Sequence, residues 1–476
     1  MERECVSEPE GGKTHPSDYA SLLRNLRAFY ETHATHPVLF RAEQLRTLGR
    51  AIESRENDLL GALHADLRKP PLEAYVSEIG FVQTDISHAV RHISRWARAQ
   101  RRRTPPIGWP GRSFVYPEPY GVVLIMGPWN YPFQLLFSPL VGAMAAGNCV
   151  CLKPSEFAPS TSAVIAQMVS EVFPPEYVTV VEGGRDAAEA LLQERFDHVF
   201  FTGSTTVGRA VMEAAARHLT PVTLELGGKC PCVVCSDVNV ETAARRIMWG
   251  KCLNAGQTCV APDFVLVDRR IRDSLLQALE RALGRFFGDS VESSKDFGRI
   301  VNRKHFDRLV SYLPQGRIVC GGEYDESNLF IAPTIMTDVD PASPVMQEEI
   351  FGPILPVLEF GDLDEVLSML RERPKPLALY LFTKDRGIQN RVIEQTVAGG
   401  VCINDTVTHI LSKDLPFGGV GASGMGSYRG KAGFDCFTHY KSVMRRSMRV
   451  DPPFRYPPTS LPLARLKRFC RFLLGG

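Results

Sequence analysis

Two short runs hold the residues best suited to covalent chemistry. Cys259 closes the small, polar segment Asn254-Ala255-Gly256-Gln257-Thr258-Cys259, and Leu224-Glu225-Leu226-Gly227-Gly228-Lys229 lies upstream of it. A thiol in such a loop can act as a nucleophile, whereas most of the other cysteines have apolar neighbours and read as inert packing. Glu225 stands between two leucines, so desolvation should raise its pKa and suit it to general-base work near neutral pH. Together they are the reagents needed to capture a carbonyl carbon covalently and release it with water. The plainer alternative is a core thiol and a salt-bridged carboxylate.

Three further runs acquire meaning beside this pair. Met126-Gly127-Pro128-Trp129-Asn130-Tyr131-Pro132 fixes its backbone with two prolines and presents the Asn130 amide, either as a turn-former or as a donor to a developing oxyanion. Lys153-Pro154-Ser155-Glu156 puts an ammonium and a carboxylate at a strand end, where a nucleotide ribose would lie if the turn is not simply solvated. Phe201-Thr202-Gly203-Ser204-Thr205-Thr206-Val207-Gly208 leads from a strand into a helix, so its amides can face a dinucleotide pyrophosphate. It carries two glycines rather than the three of G-x-G-x-x-G, and without its neighbours it would read as structural. Cys230-Pro231-Cys232-Val233-Val234-Cys235 invites a metal reading, but it has no second cysteine pair or histidine pair and sits in a predicted strand, so no metal is assigned. His409 and His439 receive no role, and Arg101-Arg102-Arg103 reads as a solvated face.

The elements that must position these residues follow from periodicity. Tyr19 to Thr32 and Ala42 to Leu67 repeat apolar residues at helical intervals, and Pro105-Pro106-Ile107-Gly108-Trp109-Pro110-Gly111 marks a boundary or an extended arm. Short β-type runs then alternate with helices. Strands are expected at Val122 to Met126, Cys149 to Lys153, Val178 to Glu182 and His198 to Thr202, with helices at Leu135 to Ala146, Thr161 to Val172 and Ala187 to Arg195. That alternation predicts an α/β fold with a doubly wound parallel sheet and ligands at the carboxyl ends of its strands. The rhythm restarts after Gly227-Gly228, with strands near Pro231 to Cys235, Phe264 to Val267 and Pro356 to Glu359, and helices at Val240 to Lys251 and Ile271 to Phe287. A second α/β unit should begin there.

Composition bounds the answer. A chain of 476 residues is too long for one ordinary core, and 44% hydrophobic with 23% charged residues is the balance of a globular protein. A net charge of +2 gives no global argument for nucleic acid as a partner. Twelve scattered cysteines form no framework, and the start Met1-Glu2-Arg3-Glu4-Cys5 lacks an apolar signal region, so reduced thiols and a cytoplasmic location are expected. No apolar stretch is long enough for a membrane span.

At these residues the chain resembles the aldehyde dehydrogenase superfamily, specifically its class 3 branch, from about residue 20 to residue 445. The likeness rests on Gly127-Pro128-Trp129-Asn130-Tyr131-Pro132, Lys153-Pro154-Ser155-Glu156, Phe201-Thr202-Gly203-Ser204, Leu224-Glu225-Leu226-Gly227-Gly228-Lys229, Gly256-Gln257-Thr258-Cys259, Glu349-Ile350-Phe351-Gly352-Pro353 and Pro416-Phe417-Gly418-Gly419-Val420-Gly421. It implies a Rossmann-type NAD(P)-binding domain (1–100 and 117–226), a catalytic domain (227–428), a small β oligomerisation arm (101–116 and 429–450) and a tail (451–476). It further implies that Cys259 attacks an aldehyde, that Asn130 and the Cys259 amide hold the oxyanion, and that Glu225 activates water against the thioester. Lys153 and Glu156 would meet the adenosine ribose, Gly203, Ser204 and Gly208 the pyrophosphate region, and Glu349 and Phe351 the nicotinamide riboside. The implied cofactor is NAD, favoured over NADP by the carboxylate of Glu156, and the implied assembly is a homodimer. Medium-chain, long-chain or aromatic aldehydes are the substrates to expect, with Tyr131 and Phe133 in an apolar tunnel. Rival readings are an acylating enzyme that passes the thioester to coenzyme A and a catalytically silent NAD-binding protein, but Glu225 weighs against the first and the intact Cys259, Glu225 and Asn130 against the second.

The tail departs from the family pattern, ending in Phe472-Leu473-Leu474-Gly475-Gly476 with no prenylation signal. On a helical wheel, Leu463, Leu466, Phe469, Cys470, Leu473 and Leu474 gather opposite Arg465, Lys467, Arg468 and Arg471. Such a helix suits peripheral contact with an anionic membrane, or docking on its own subunit.

Overall fold

The first half of the chain is built round one fully buried, wholly apolar strand, Val122–Met126. In the computed structural model the described residues are 16–105, 108–288, 290–451, 456–457 and 462–474. Met1 to Cys5, Pro106, Ile107, Gly475 and Gly476 lie outside them, as do the side chains of Leu466, Phe469, Cys470, Phe472, Leu473 and Leu474.

Val122–Met126 pairs in parallel with Cys149–Lys153 on one side and His198–Gly203 on the other. The six-stranded sheet runs Gly424–Met425, Val222–Leu226, His198–Gly203, Val122–Met126, Cys149–Lys153, Val178–Val180, parallel except for the outer Gly424–Met425 pairing. The chain winds outward from the central strand in one direction, then returns to wind in the other. The reversal opens a crevice at the carboxyl ends of Val122–Met126 and His198–Gly203, the standard dinucleotide position of a doubly wound sheet. The helix Gln134–Ala146 that follows the central strand is buried along its whole length. Gly147, at φ 99°, ends it in a left-handed turn that a larger residue would enter only under strain.

The second sheet has seven strands in the order Arg317–Cys320, Thr334–Thr337, Ile354–Phe360, Phe264–Asp268, Pro231–Val234, Ala378–Phe382, Gly400–Ile403, parallel except at the Arg317–Cys320 edge. Cys230, Cys232 and Cys235 are packed in its core. A separate antiparallel sheet joins Gln100–Arg102, Arg112–Pro119 and Thr438–Arg445.

The helices and strands expected from periodicity form within a few residues of their expected ends. The helical stretch from Ala42 to Leu67 is divided in two, Val38–Ser54 and Glu56–Leu67, at Arg55. Periodicity also gave no sign of Tyr75–Ile79, where the chain takes a π-helical turn between Pro71–Ala74 and Gly80–Trp96. This widened turn carries Glu78 in a fully buried position.

Candidate active site

The crevice between the two sheets gathers side chains from four directions. Asn130 follows the central strand of the first sheet, and Glu225 lies near the end of Val222–Leu226. Cys259 follows the helix Val240–Cys252, which Asn239 caps by accepting the Thr242 N–H at 2.9 Å. Glu349 and Phe351 precede the strand Ile354–Phe360.

The route from helix to nucleophile is an unusual one. Asn254 (φ 51°) and Ala255 (φ 52°) are consecutive left-handed residues in a 3₁₀ turn over Leu253–Gly256. Such conformations persist only where the surroundings over-determine them. Here the backbone N–H of Asn254 donates to Glu73 at 2.7 Å, and its side-chain amide donates to the carbonyls of Asn130 at 2.8 Å and Gln257 at 3.2 Å. The fully buried Gln257 amide donates to the Asn254 and Arg299 carbonyls at 3.0 and 2.9 Å and accepts the Val301 N–H at 3.0 Å. The Tyr131 hydroxyl shares a 2.7 Å hydrogen bond with Thr258.

Asn130 is 3% exposed, and its Nδ2 donates to the Gln257 carbonyl at 3.0 Å. A primary amide has two N–H groups, so one remains for a ligand in the crevice. Glu225 is also 3% exposed, and neither carboxylate oxygen has a hydrogen-bond partner among the described residues. With nothing to offset desolvation, its pKa is held well above the usual carboxylate value. Burial likewise raises the Cys259 thiol, and the carboxylates of Glu349 and Glu225 push it further. The N–H groups of Cys259 and Val260 act in the opposite direction by donating to its sulfur. Cys259 as a residue is nevertheless only partly buried.

Glu349 lies against Gly227, where any Cβ would overlap its carboxylate, and it accepts the Gly228 N–H. Burial and the nearby Asp263 raise its pKa to about 8. The segment is fixed from below by Arg308, which donates to the carbonyls of Glu349 (3.1 Å) and Ile350 (2.8 Å), and by Asp263, which accepts the Ile350 N–H at 3.0 Å. Lys229 pairs with Asp263 and donates to the Val345 and Glu348 carbonyls. Phe351, at φ 50°, meets Trp129 edge to face at 5.3 Å, and Trp129 contacts His305 at 5.2 Å.

The adjoining residues fit a dinucleotide. Lys153 is 4% exposed at the end of its strand, with its ammonium 3.6 Å from the exposed Glu156 carboxylate. Ser204 caps the helix Thr205–Ala216 by accepting the Val207 N–H at 3.3 Å. Gly203 packs beneath the Phe201 ring, where a side chain would collide, and Gly208 is buried against Leu226, so it brings helix and sheet close together. Phe133 is enclosed in the core and stacked on Phe137 at 4.3 Å, which removes it from the expected apolar tunnel, while Tyr131 stays beside the nucleophile loop. Sequence reasoning missed Lys69, Glu73 and Glu78, whose only outward sign is a lysine before Pro70-Pro71 with two acids spaced along the following turns. It also passed over Asp263 and Arg308, which support Glu349 from outside its motif.

A doubly wound sheet facing a second α/β sheet across a cleft that holds a thiol and a desolvated carboxylate is the architecture of a nicotinamide-dependent enzyme working through a covalent thiol. The chain belongs to the aldehyde dehydrogenase family, whose model matches residues 12–443. It is 47% identical over 445 residues to 4,4'-diaponeurosporen-aldehyde dehydrogenase of Staphylococcus aureus, covering 93% of this chain and 97% of that protein. It is 46% identical to human aldehyde dehydrogenase family 3 member B1 (92% and 94% covered) and 42% identical to the dog dimeric NADP-preferring aldehyde dehydrogenase (94% and 100%). A solved structure of the substrate-bound state of Staphylococcus aureus AldH superposes with a TM-score of 0.93 at 46% identity, covering 95% of this chain and 99% of that one. The class 3 resemblance, the fold class and the enzymatic activity read from the sequence are thereby borne out. The protein oxidises aldehydes to carboxylic acids with NAD or NADP.

Proposed function

We propose that the reaction runs through Cys259, Asn130 and Glu225. The Cys259 sulfur adds to the aldehyde carbon, and the oxygen that gains charge accepts hydrogen bonds from the free Asn130 N–H and from the Cys259 backbone N–H. One preorganised donor of this kind is worth roughly 3 to 4 kcal/mol of transition-state stabilisation. A nicotinamide held beside Glu349 and Phe351 would supply the acceptor for the hydride leaving the adduct carbon, so that the adduct becomes a thioester on Cys259. Glu225 then takes a proton from water as the water oxygen bonds to the acyl carbon; the C–S bond breaks, and the acid and the Cys259 thiolate are released. The observation that carries this reading is Glu225 itself, buried without a hydrogen-bond partner and close enough to Cys259 to raise its thiol.

Lys153 and Glu156 would hold the adenosine ribose, Gly203 and Ser204 would approach the pyrophosphate with Gly208 allowing the close helix, and Glu349 and Phe351 would border the nicotinamide riboside. Glu156 repels a 2′-phosphate, so NAD is the preferred cofactor. The substrates are medium-chain, long-chain or aromatic aldehydes, and the molecule works as a homodimer through the sheet that ends in Thr438–Arg445. The helix Leu463–Leu474, whose Arg465, Lys467, Arg468 and Arg471 are exposed, supplies peripheral membrane contact.

The test is NADH and NADPH formation with aldehydes of increasing chain length, run beside Cys259→Ala. Activity rising with chain length and abolished in the variant supports the reading; undiminished activity in the variant overturns the covalent route.

A further inference from the structure

Asn130 is held at both ends of the residue. Its side-chain amide donates to the Gln257 carbonyl, and its own carbonyl accepts two hydrogen bonds, from Lys69 Nζ at 2.9 Å and from Asn254 Nδ2 at 2.8 Å. Lys69 is fully buried, lies 4.1 Å above the Tyr131 ring and is paired with the equally buried Glu78. The second Glu78 oxygen accepts the N–H groups of Phe133 (3.1 Å) and Gln134 (2.9 Å), so the pair also ties down the start of the helix after Asn130. An ion pair with no exposed surface costs desolvation energy that a well-packed apolar pair would avoid, so its burial is weak evidence for a purely stabilising role.

None of this clamp lies in the motif around Asn130. Lys69 and Glu78 come from the helical layer ahead of the first sheet, and Asn254 comes from the nucleophile loop, where Glu73 anchors its N–H. The bonds therefore tie two separate segments to one carbonyl. Fixing that carbonyl fixes the backbone from which the Asn130 side chain projects, while the bond from Nδ2 to the Gln257 carbonyl orients the amide itself. Misplacing a catalytic group by about 1 Å can cost about 100-fold in rate.

We propose that Lys69 and Asn254 are positioning residues for the oxyanion-binding amide: by clamping the Asn130 carbonyl, they set the direction of its remaining N–H relative to Cys259. The proposal rests on the reading of Asn130 given above. Glu78 serves it by holding Lys69, and Glu73 by holding Asn254.

The experiment is a set of double-mutant cycles against Asn130→Ala, with kcat, KM and NAD affinity measured for each protein. Lys69→Met combined with Glu78→Gln removes both charges together and leaves no unpaired buried ion. Asn254→Gly removes the second donor while suiting the left-handed backbone, so it gives an independent arm if the first pair folds poorly. Each change should lower kcat about 10- to 100-fold with KM and NAD affinity little altered, and should cost less than about 2-fold once Asn130 is alanine. A loss of the same size in both backgrounds would mean a general structural role and overturn the proposal, as would unchanged kcat in the Asn130 background. If Asn130→Ala alone leaves kcat intact, the oxyanion reading itself fails and the proposal with it.

Discussion

Glu225 owes its chemistry to what does not surround it. No cation and no donor among the described residues reaches its oxygens, so its pKa is raised by burial alone. A general base acts in its ionised form, whose fraction grows as pH rises toward the raised pKa. Thioester hydrolysis should therefore accelerate as pH rises, and the Glu349 carboxyl, raised to about 8, adds a second ionisation. Glu225→Gln keeps the shape of the side chain and removes the base. It should retain a first-turnover burst of reduced cofactor while steady-state turnover falls about 10²- to 10⁴-fold and loses its alkaline rise. Rapid-mixing kinetics across pH 6 to 9 read both quantities; a glutamine variant with normal turnover, or with no burst, would count against the assigned role.

The elements matter most where backbone meets backbone. Gly256, at φ 77°, presses against the Gly352 carbonyl, so the nucleophile loop and the Glu349–Phe351 segment are in direct contact there. Gly256→Ala would place a Cβ inside that carbonyl's radius on a left-handed residue, and a cost of about 2 to 4 kcal/mol is expected from overpacking and strain. Chemical denaturation should show the lowered midpoint, and activity should fall with it because Cys259 is displaced. The glycine in this motif was legible in the sequence, but the reason for it was not, since Gly352 is remote in the chain. The same holds more widely. Strands such as Val122–Met126 and helices such as Val240–Cys252 announce themselves because buried apolar runs and helical periodicity are local signals. Asn130, Glu225 and Cys259 could be picked out because each sits in a run of unusual composition. Lys69, Glu78 and Arg308 could not, because their work depends on partners far away in sequence and a lone charged residue reads as solvated until its burial is known. The π-helical turn at Tyr75–Ile79 was hidden for a local reason: it departs from helical periodicity by a single residue.

At the scale of the whole molecule, the late part of the chain returns to brace the first sheet. Gly424–Met425 extends that sheet beside Glu225, and Gly430–Cys436 packs on Gln134–Ala146 before the chain leaves as Thr438–Arg445. No helix among the described residues is long and apolar enough to cross a membrane, and the proposed peripheral contact rests on the exposed cations of the helix Leu463–Leu474. Deleting residues 461–476 should abolish flotation with anionic vesicles and leave oxidation of a water-soluble aldehyde intact; flotation that survives the deletion would place lipid contact on another surface, and an intact protein that does not float would point to docking of the helix on its own subunit. The returning segment also meets a titratable group. His198, buried in the first sheet, stacks on Tyr120 at 5.3 Å, meets Phe437 edge to face at 5.2 Å and hydrogen bonds Thr223 at 3.2 Å. Burial lowers its pKa to about 3 from the ordinary 6.5, so the fold keeps it neutral while the unfolded chain protonates it below that value. The unfolded state then binds more protons, and stability present above pH 6.5 is lost as pH falls toward 3, at about 1.4 kcal/mol per pH unit from this group. Between pH 7 and pH 5 the loss due to His198 should be about 2 kcal/mol. His198→Phe keeps a ring between Tyr120 and Phe437 and removes the titration, so its unfolding free energy in denaturant titrations at the two pH values should fall by about 2 kcal/mol less than that of the parent. Equal pH dependence in the two proteins would show that the acid sensitivity lies elsewhere, with the half-buried His305 and His409, both lowered to about 4, as the next groups to replace.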